Sequence, residues 1–312
     1  MRQQDGPKTF LLPEQGLCPA RMMNTPQVSI LISVYGELAC TRKCLECVEK
    51  TLGGKLDYEV LIINDASKDG TADFLDKLQE PPYRIFHNCE NQGFARNNNR
   101  LAREAKGDYL LFLNNDVFVK GDWLIPMLEV FQSKEKVGMV GNVQRLAGSL
   151  RYDHMGVVFA PQGNPRHYGQ GFWHRPFKGR VREWSAVTAA CCLAKREAFL
   201  KIGGFNERFV NGCEDVDICL RMSEAGLAHF VVHDSVVEHV KGASEGRKLK
   251  NHENSRILDQ KWGVRIRGRQ SVADQVLHAR TYLFRGLTSP WLVNLTKFMQ
   301  AAAILLRLTQ VK

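Results

Sequence analysis

No apolar run in the 312 residues approaches the ~18–20 that a membrane-spanning helix needs. No secretory leader is expected either, because Phe10-Leu11-Leu12 is the apolar centre near the N-terminus and is too short for an h-region. Cysteine occurs nine times without the spacing of a small disulfide scaffold, so free thiols in a reducing compartment are expected, in a chain that starts and stays in the cytosol. Also missing are G-x-x-x-x-G-K-[ST], a G-x-G-x-x-G after a strand, and H-E-x-x-H. Kinase, dinucleotide oxidoreductase and zinc protease readings are set aside with them. Hydrophobic residues make up 44% and charged residues 24%, ordinary globular values that exclude disorder, collagen-like repeats and coiled coil.

The net charge of +10 is unevenly placed. Residues 241–312 hold 14 Lys and Arg against four acids (Glu245, Glu253, Asp259, Asp274), which accounts for all of it. A neutral body with a basic tail suits an anionic surface such as lipid headgroups, or is a solvated Arg-rich helical face. Nucleic acid is not expected, because the tail carries no recognition-helix, zinc-finger or RNA-binding signature.

From Val28 onward the pattern alternates strand and helix. Val28–Ile32, Glu59–Ile63, Tyr83–His87 and Asp108–Leu113 are short apolar runs of the kind buried on both sheet faces. Between them lie helical stretches at Glu37–Leu52 and from Gly93 to Ala105. In the first, Cys40, Cys44, Cys47, Val48 and Thr51 share a face, and with no second pair the Cys44/Cys47 spacing reads as packing, not zinc. This alternation favours an α/β fold with a mostly parallel central sheet and helices on both faces. Ligands of such sheets bind beyond the strands' carboxyl ends, so the polar clusters at 64–71, 91–99 and 114–116 are expected to meet at one edge. Residues 161–184 read as a long Gly/Pro-rich loop, either a binding loop with Arg166, Arg175 and Arg182 near a diphosphate or an ordered loop with aromatic anchors. Val187–Ala194 reads as a buried strand, Glu214 to Gly226 as a helix, and Phe230–Val232 as a strand leading to His239. Two further helices are expected at Ala273–Phe284 and Trp291–Leu308. The second carries Leu292, Leu295, Phe298, Met299, Ala302, Leu305 and Leu306 on one side. It fits either peripheral attachment to the cytoplasmic membrane face or packing on the domain.

Six motifs stand in order: Val28-Ser-Ile-Leu-Ile-Ser-Val-Tyr35, Asp65-x-Ser67-x-Asp69-Gly70-Thr71, Asn91-x-Gly93-Phe-Ala, Leu113-Asn-Asn-Asp116, Gly203-Gly204-Phe-Asn-Glu207-Arg-Phe and Glu214-Asp215-Val-Asp217-x-Cys-x-Arg221. Together, over about residues 27–262, they resemble the family 2 glycosyltransferases. The resemblance implies a GT-A fold in that span, preceded by an extension (1–26) and followed by a basic, amphipathic helical tail (263–312). It also implies inverting transfer of a sugar from a nucleotide diphosphate, UDP or dTDP favoured, to a hydroxyl of a polysaccharide, glycolipid or lipid-linked acceptor. Val34, Tyr35, Glu37, Asp65, Arg96, Asn99, Asn114, Asn115 and Asp116 match donor-side positions. Asp116 and His239 match positions that contact a divalent cation, Mg²⁺ or Mn²⁺. Asp215, with Glu214 beside it, matches the catalytic base. Plainer roles stand beside these: Asp65 as a turn-former, Glu214 and Asp217 as acids favoured by a helix dipole, and His239 as a capping histidine. Ser33, Gly36 and Asn64 depart from the usual family residues, which leaves the bound base open. The alternative is a non-catalytic relative that binds a nucleotide sugar or docks at a membrane.

Overall fold

The computed structural model describes residues 26–78, 80–240, 250–269, 272–288 and 290–306. The expected extension therefore lies almost wholly outside the described residues. Strand β1 (Val28–Val34) leads through α1 (Leu38–Leu52) to β2 (Tyr58–Asn64), and α2 (Thr71–Leu75) to β3 (Tyr83–His87). Then come α3 (Phe94–Glu104), β4 (Tyr109–Leu113), β5 (Val117–Phe118), α4 (Ile125–Ser133), β6 (Val137–Leu146), β7 (Tyr152–His154), β8 (Val157–Phe159) and β9 (Pro165–His167). The rest is β10 (Val181–Trp184), β11 (Cys191–Lys195), α5 (Arg196–Lys201), α6 (Glu214–Glu224), β12 (Ala228–His239), α7 (Asn251–Arg269), α8 (Val272–Thr288) and α9 (Leu295–Leu305).

The main sheet runs β10-β12-β6-β11-β4-β1-β2-β3. Parallel pairing of β3, β2, β1 and β4, and of β6 with β12, leaves β11 antiparallel between β4 and β6 and β10 antiparallel at the far edge. The chain thus has an α/β, GT-A-like architecture. Alternation along β1 sends Ile30 and Ile32 into a core with α1 and α4, while Leu31 meets Ala102 of α3, Phe199 of α5 and Ile218 of α6 on the other face. Cys44 is buried in the first core, and burial raises its thiol pKa well above the ordinary value.

The C-terminal helices are tied to this body. Phe209, Val216 and Leu220 form a third apolar cluster with Ile257, Leu258, Trp262 and Ile266 of α7. Helix α7 runs continuously through the expected division at residues 262 and 263. Leu277 of α8 enters the second core, and α9 lies on α8 with Ala301 buried. The apolar side expected for the last helix is divided between two environments: Phe298 sits beside Gly286 of α8, whereas Leu295, Met299 and Leu306 are exposed with Trp291. Among the described residues no helix is long and apolar enough to cross a membrane.

The stretch 161–184 is more structured than a loop. It supplies β9 and β10, and its rings are anchors: Tyr168 lies 5.1 Å from Trp184, and Phe172 lies 4.3 Å from Phe284 of α8. Arg175 donates to the carbonyl of His233, and Arg182 lies over Phe177 and Trp184. Both are thus engaged away from the strand ends.

Candidate functional site

A cleft of about 540 Å³ opens beyond the carboxyl ends of β1, β2 and β4. Tyr35, Asp65, Asn114, Asn115, Asp116, Glu214 and Asp215 all line it. The expected convergence of the 64–71, 91–99 and 114–116 clusters is therefore observed, since Asn91 and Gly93 are there too.

Local chemistry fixes each wall. Ser67 accepts the Gly36 amide at 2.8 Å, and Asp69 accepts the Leu38 amide at 3.0 Å, so the Asp65-to-Thr71 turn holds the start of α1. The Asp69 carboxyl is held below its ordinary pKa: burial pushes it up, but hydrogen bonds from Thr71 and Leu38 outweigh that. Asp65 is buried and accepts from Asn88 (2.8 Å), Gln92 (2.8 Å) and Gly93 (2.9 Å). Three of its roughly four lone-pair sites organise the β3–α3 turn, leaving about one for a ligand. Asn115 donates to Thr41 at 3.0 Å, bracing the loop after β4 against α1.

Asp116 and His239 meet because β5 pairs antiparallel with the end of β12, with Val117 opposite His239. Oδ1 of Asp116 lies 3.3 Å from Nε2 of His239, and both residues are buried. Nδ1 of His239 is 3.1 Å from the side-chain amide of Gln144, which orients the ring so that Nε2 faces the Asp116 carboxylate. Adjacent ligands of an octahedral ion with bonds near 2.1 Å would be about 3 Å apart, so the pair fits a small divalent cation. Among the described residues no group of three or more His, Cys, Asp or Glu side chains is arranged to hold a metal, so this pair would supply only part of an ion's coordination shell. Four carboxylates line the cleft (Asp65, Asp116, Glu214 and Asp215) against Lys250, so its lining carries an excess of negative charge.

Asp215 sits at the first turn of α6, half-buried, accepting from Val216 at 2.8 Å and Ala189 at 3.3 Å. Glu214 turns back to accept the Gly212 amide at 2.6 Å, a stabilising contact at the helix start. Asp217 points the other way: it is fully buried, bound to Arg221 (2.8 Å), Lys261 (2.7 Å) and Trp262 (2.8 Å). It locks α6 to α7. Asn254 of α7 also grips Val210 in the preceding loop, at 2.8 and 3.2 Å.

Four expected donor residues are not at the cleft. Val34 is buried in β1 and its carbonyl accepts the Asp65 amide. Glu37 is exposed, its carbonyl beginning α1 by accepting from Thr41. Arg96 pairs with Glu207 at 3.5 Å in a separate, open depression. Asn99 is buried and spans the Phe205 backbone, accepting its N–H at 2.8 Å and donating to its carbonyl at 2.9 Å. It shapes the loop that precedes α6. Sequence reasoning missed Ser33, Thr188, Asn211, His167 and Lys250, which also line the cleft. Asn211 had a local signal, an Asn-Gly pair before the acidic helix; Thr188, His167 and Lys250 arrive only through the fold.

A profile for Glycosyl transferase family 2 matches residues 29–203, more than half the chain. The O-antigen biosynthesis protein RfbC of Myxococcus xanthus is 32% identical over 60% of this chain and 15% of its own length. An uncharacterized protein, y4gI of Sinorhizobium fredii, is 27% identical over 73% of this chain and 26% of its own length. The chain thus spans about a quarter or less of these relatives. Among solved structures, the mannosyltransferase PcManGT of Pyrobaculum calidifontis, in complex with GDP-Man and Mn²⁺, superposes with a TM-score of 0.58 at 20% identity, over 93% of this chain and 77% of that one. GalNAc-T7 with UDP, GalNAc and Mn²⁺ gives a TM-score of 0.61 at 18% identity, over 76% of this chain and 48% of that one. The ordered motifs, the strand-end cleft and the family match lead to one assignment: the chain belongs to glycosyl transferase family 2.

Proposed function

We propose that this chain is an inverting glycosyltransferase that moves a sugar from a nucleotide diphosphate to a hydroxyl of a polysaccharide, glycolipid or lipid-linked acceptor. The observation that carries this is the placement of Asp116, backed by His239, and Asp215 in one cleft. Asp116 and His239 would hold a divalent cation, Mg²⁺ or Mn²⁺, whose positive charge would offset that of a nucleoside diphosphate. Lys250 approaches the same phosphates. Tyr35, 42% exposed, offers a ring face to the base, and the remaining Asp65 lone pair accepts the imide N–H of a uracil or thymine. Asp215 takes the acceptor hydroxyl proton as that oxygen attacks the anomeric carbon opposite the leaving diphosphate, a single displacement that inverts the centre. Asn114 and Asn115 shape the floor beneath the donor. The basic tail, with Trp291, Leu295 and Met299 exposed, makes peripheral contact with an anionic membrane.

A thermal-shift screen of nucleotide diphosphates and nucleotide sugars with Mn²⁺ identifies the donor by selective stabilisation. NMR of the product then reads its anomeric configuration. Stabilisation by none of the panel, or retention of configuration, overturns the proposal.

A further inference from the structure

Strand alternation in the β8–β9 hairpin gives it two different faces. Val157 pairs with His167 and faces the cleft with Pro165, whereas Val158 pairs with Arg166 and faces a second cavity of about 330 Å³. That cavity is closed on its other side by α8 and α9, and His167 borders both spaces. Its lining is cationic and polar: Arg166 from the hairpin, Arg285 from α8 and Lys297 from α9, with Tyr282, Gln170 and His278. No carboxylate lines it, though Asp153 stands behind the wall, accepting from Gln170 at 3.2 Å and 3.9 Å from Nδ1 of His167; among the described residues Arg166, Arg285 and Lys297 make no ion pair. Among the described residues Arg285 reaches the amide oxygen of Gln170, at 3.5 Å. His278 records the same field: burial first, then Arg166 and Lys297, push its pKa down to about 4, so the ring is neutral at pH 7. Arg166 and Lys297 are exposed, so water screens the repulsion among the three cations, and an anion entering between them would take the place of that water.

We infer that this cavity is an acceptor subsite for an oxyanion, a phosphate or carboxylate group carried by the acceptor. The inference deepens the proposed transferase reading and rests on it for the word acceptor. The donor diphosphate belongs to the acidic cleft on the opposite face of the hairpin, where Asp116 and Lys250 lie. An acceptor reaching past His167 presents its hydroxyl to Asp215 and its anionic group to Arg166, Arg285 and Lys297. Arg supplies a planar fork for two oxygens and Lys a point charge, a set suited to an oxyanion rather than a neutral sugar.

The test uses the full chain in metal-free buffer, titrated calorimetrically with inorganic phosphate and, separately, with methyl glucuronide. Binding weakened at least tenfold in the Arg166→Gln/Lys297→Gln double variant, but kept in Asp116→Ala, supports the subsite. The tighter of the two probes says which oxyanion the acceptor carries. A double variant with wild-type circular dichroism and melting temperature rules out misfolding as the cause. Absence of binding by both probes, or equal binding by the double variant, overturns the subsite. Once a donor is known, the double variant should raise KM for an anionic acceptor at least tenfold and leave donor hydrolysis by water unchanged. An unchanged acceptor KM overturns the acceptor role while leaving the anion site standing. Loss of the transferase reading shows separately, as failure of donor binding or turnover in the wild type.

Discussion

The two aspartates of Glu214-Asp215-Val-Asp217 should separate stability from activity. Asp217 has no exposed surface and accepts from Arg221, Lys261 and Trp262 at 2.7–2.8 Å. Removing one member of a buried ion pair costs about 3–5 kcal/mol. Lys261 is 38% exposed and can turn to water, so the lower end applies to Asp217→Ala, about 3 kcal/mol. The stranded Trp262 N–H, in a residue that is itself buried, adds about 1 kcal/mol or more. At roughly 2 °C per kcal/mol for a chain of this size, the melting temperature falls by about 6–8 °C. Asp215 is half-buried and accepts two backbone amides, with no ion pair among the described residues, so Asp215→Asn should shift stability by about 1 kcal/mol or less. Its turnover should drop about 10²–10⁴-fold. Thermal melts and donor turnover on both variants check this. Asp217→Ala melting within 2 °C of wild type, or Asp215→Asn proving the less stable of the two, refutes the reasoning.

Gln144 positions His239, so Gln144→Leu should raise the half-saturating Mn²⁺ concentration about 10-fold or more, read from activity against metal. Gly204 has φ +66° and a methyl there meets Asn99 Oδ1, so Gly204→Ala adds left-handed strain of about 1–2 kcal/mol and disturbs the Asn99–Phe205 bonds; a urea melt should show a loss of at least 2 kcal/mol. His229 is held down to about 4 by burial, against about 6.5 when unfolded. Between those values the unfolded chain binds more protons than the native one, so stability is lost as pH falls from 6.5 towards 4, by up to on the order of 3 kcal/mol. Melts across that range check it, and a flat profile contradicts it. Cys89 is exposed whereas Cys44, Cys191, Cys192 and Cys219 are buried with raised thiol pKa values, so a thiol reagent should modify Cys89 ahead of those four and reach them only on unfolding.

The parallel half was legible because β1, β2, β3 and β4 are apolar runs ended by polar turns, and the sheet places those turns side by side. The antiparallel half was less so. Strand β6 contains Gly138 and Gly141, which lower strand propensity in isolation, yet a side chain at 138 would meet the His229 ring and one at 141 would meet Val187. That reason exists only in three dimensions. Helix α7 was missed for another cause: its buried row of Leu258, Trp262 and Ile266 is short, and the exposed Val264 blurs the contrast between its faces. At the site, motif membership located the cleft but could not tell a ligand-facing side chain from one that braces the loop. Asn99 and Asp217 stand in the motifs as prominently as Asp65 and Asp215. Only their partners, the Phe205 backbone and Trp262, reveal a structural task.

Donor binding and turnover measured side by side on Asp116→Ala and Asp215→Asn test the division of labour between the two carboxylates most directly. Calorimetry with the identified nucleotide sugar should show Mn²⁺-dependent binding lost in Asp116→Ala and kept in Asp215→Asn, with transfer abolished or reduced at least a hundredfold in both. Wild-type transfer by either variant, or donor binding lost in Asp215→Asn and kept in Asp116→Ala, contradicts the account.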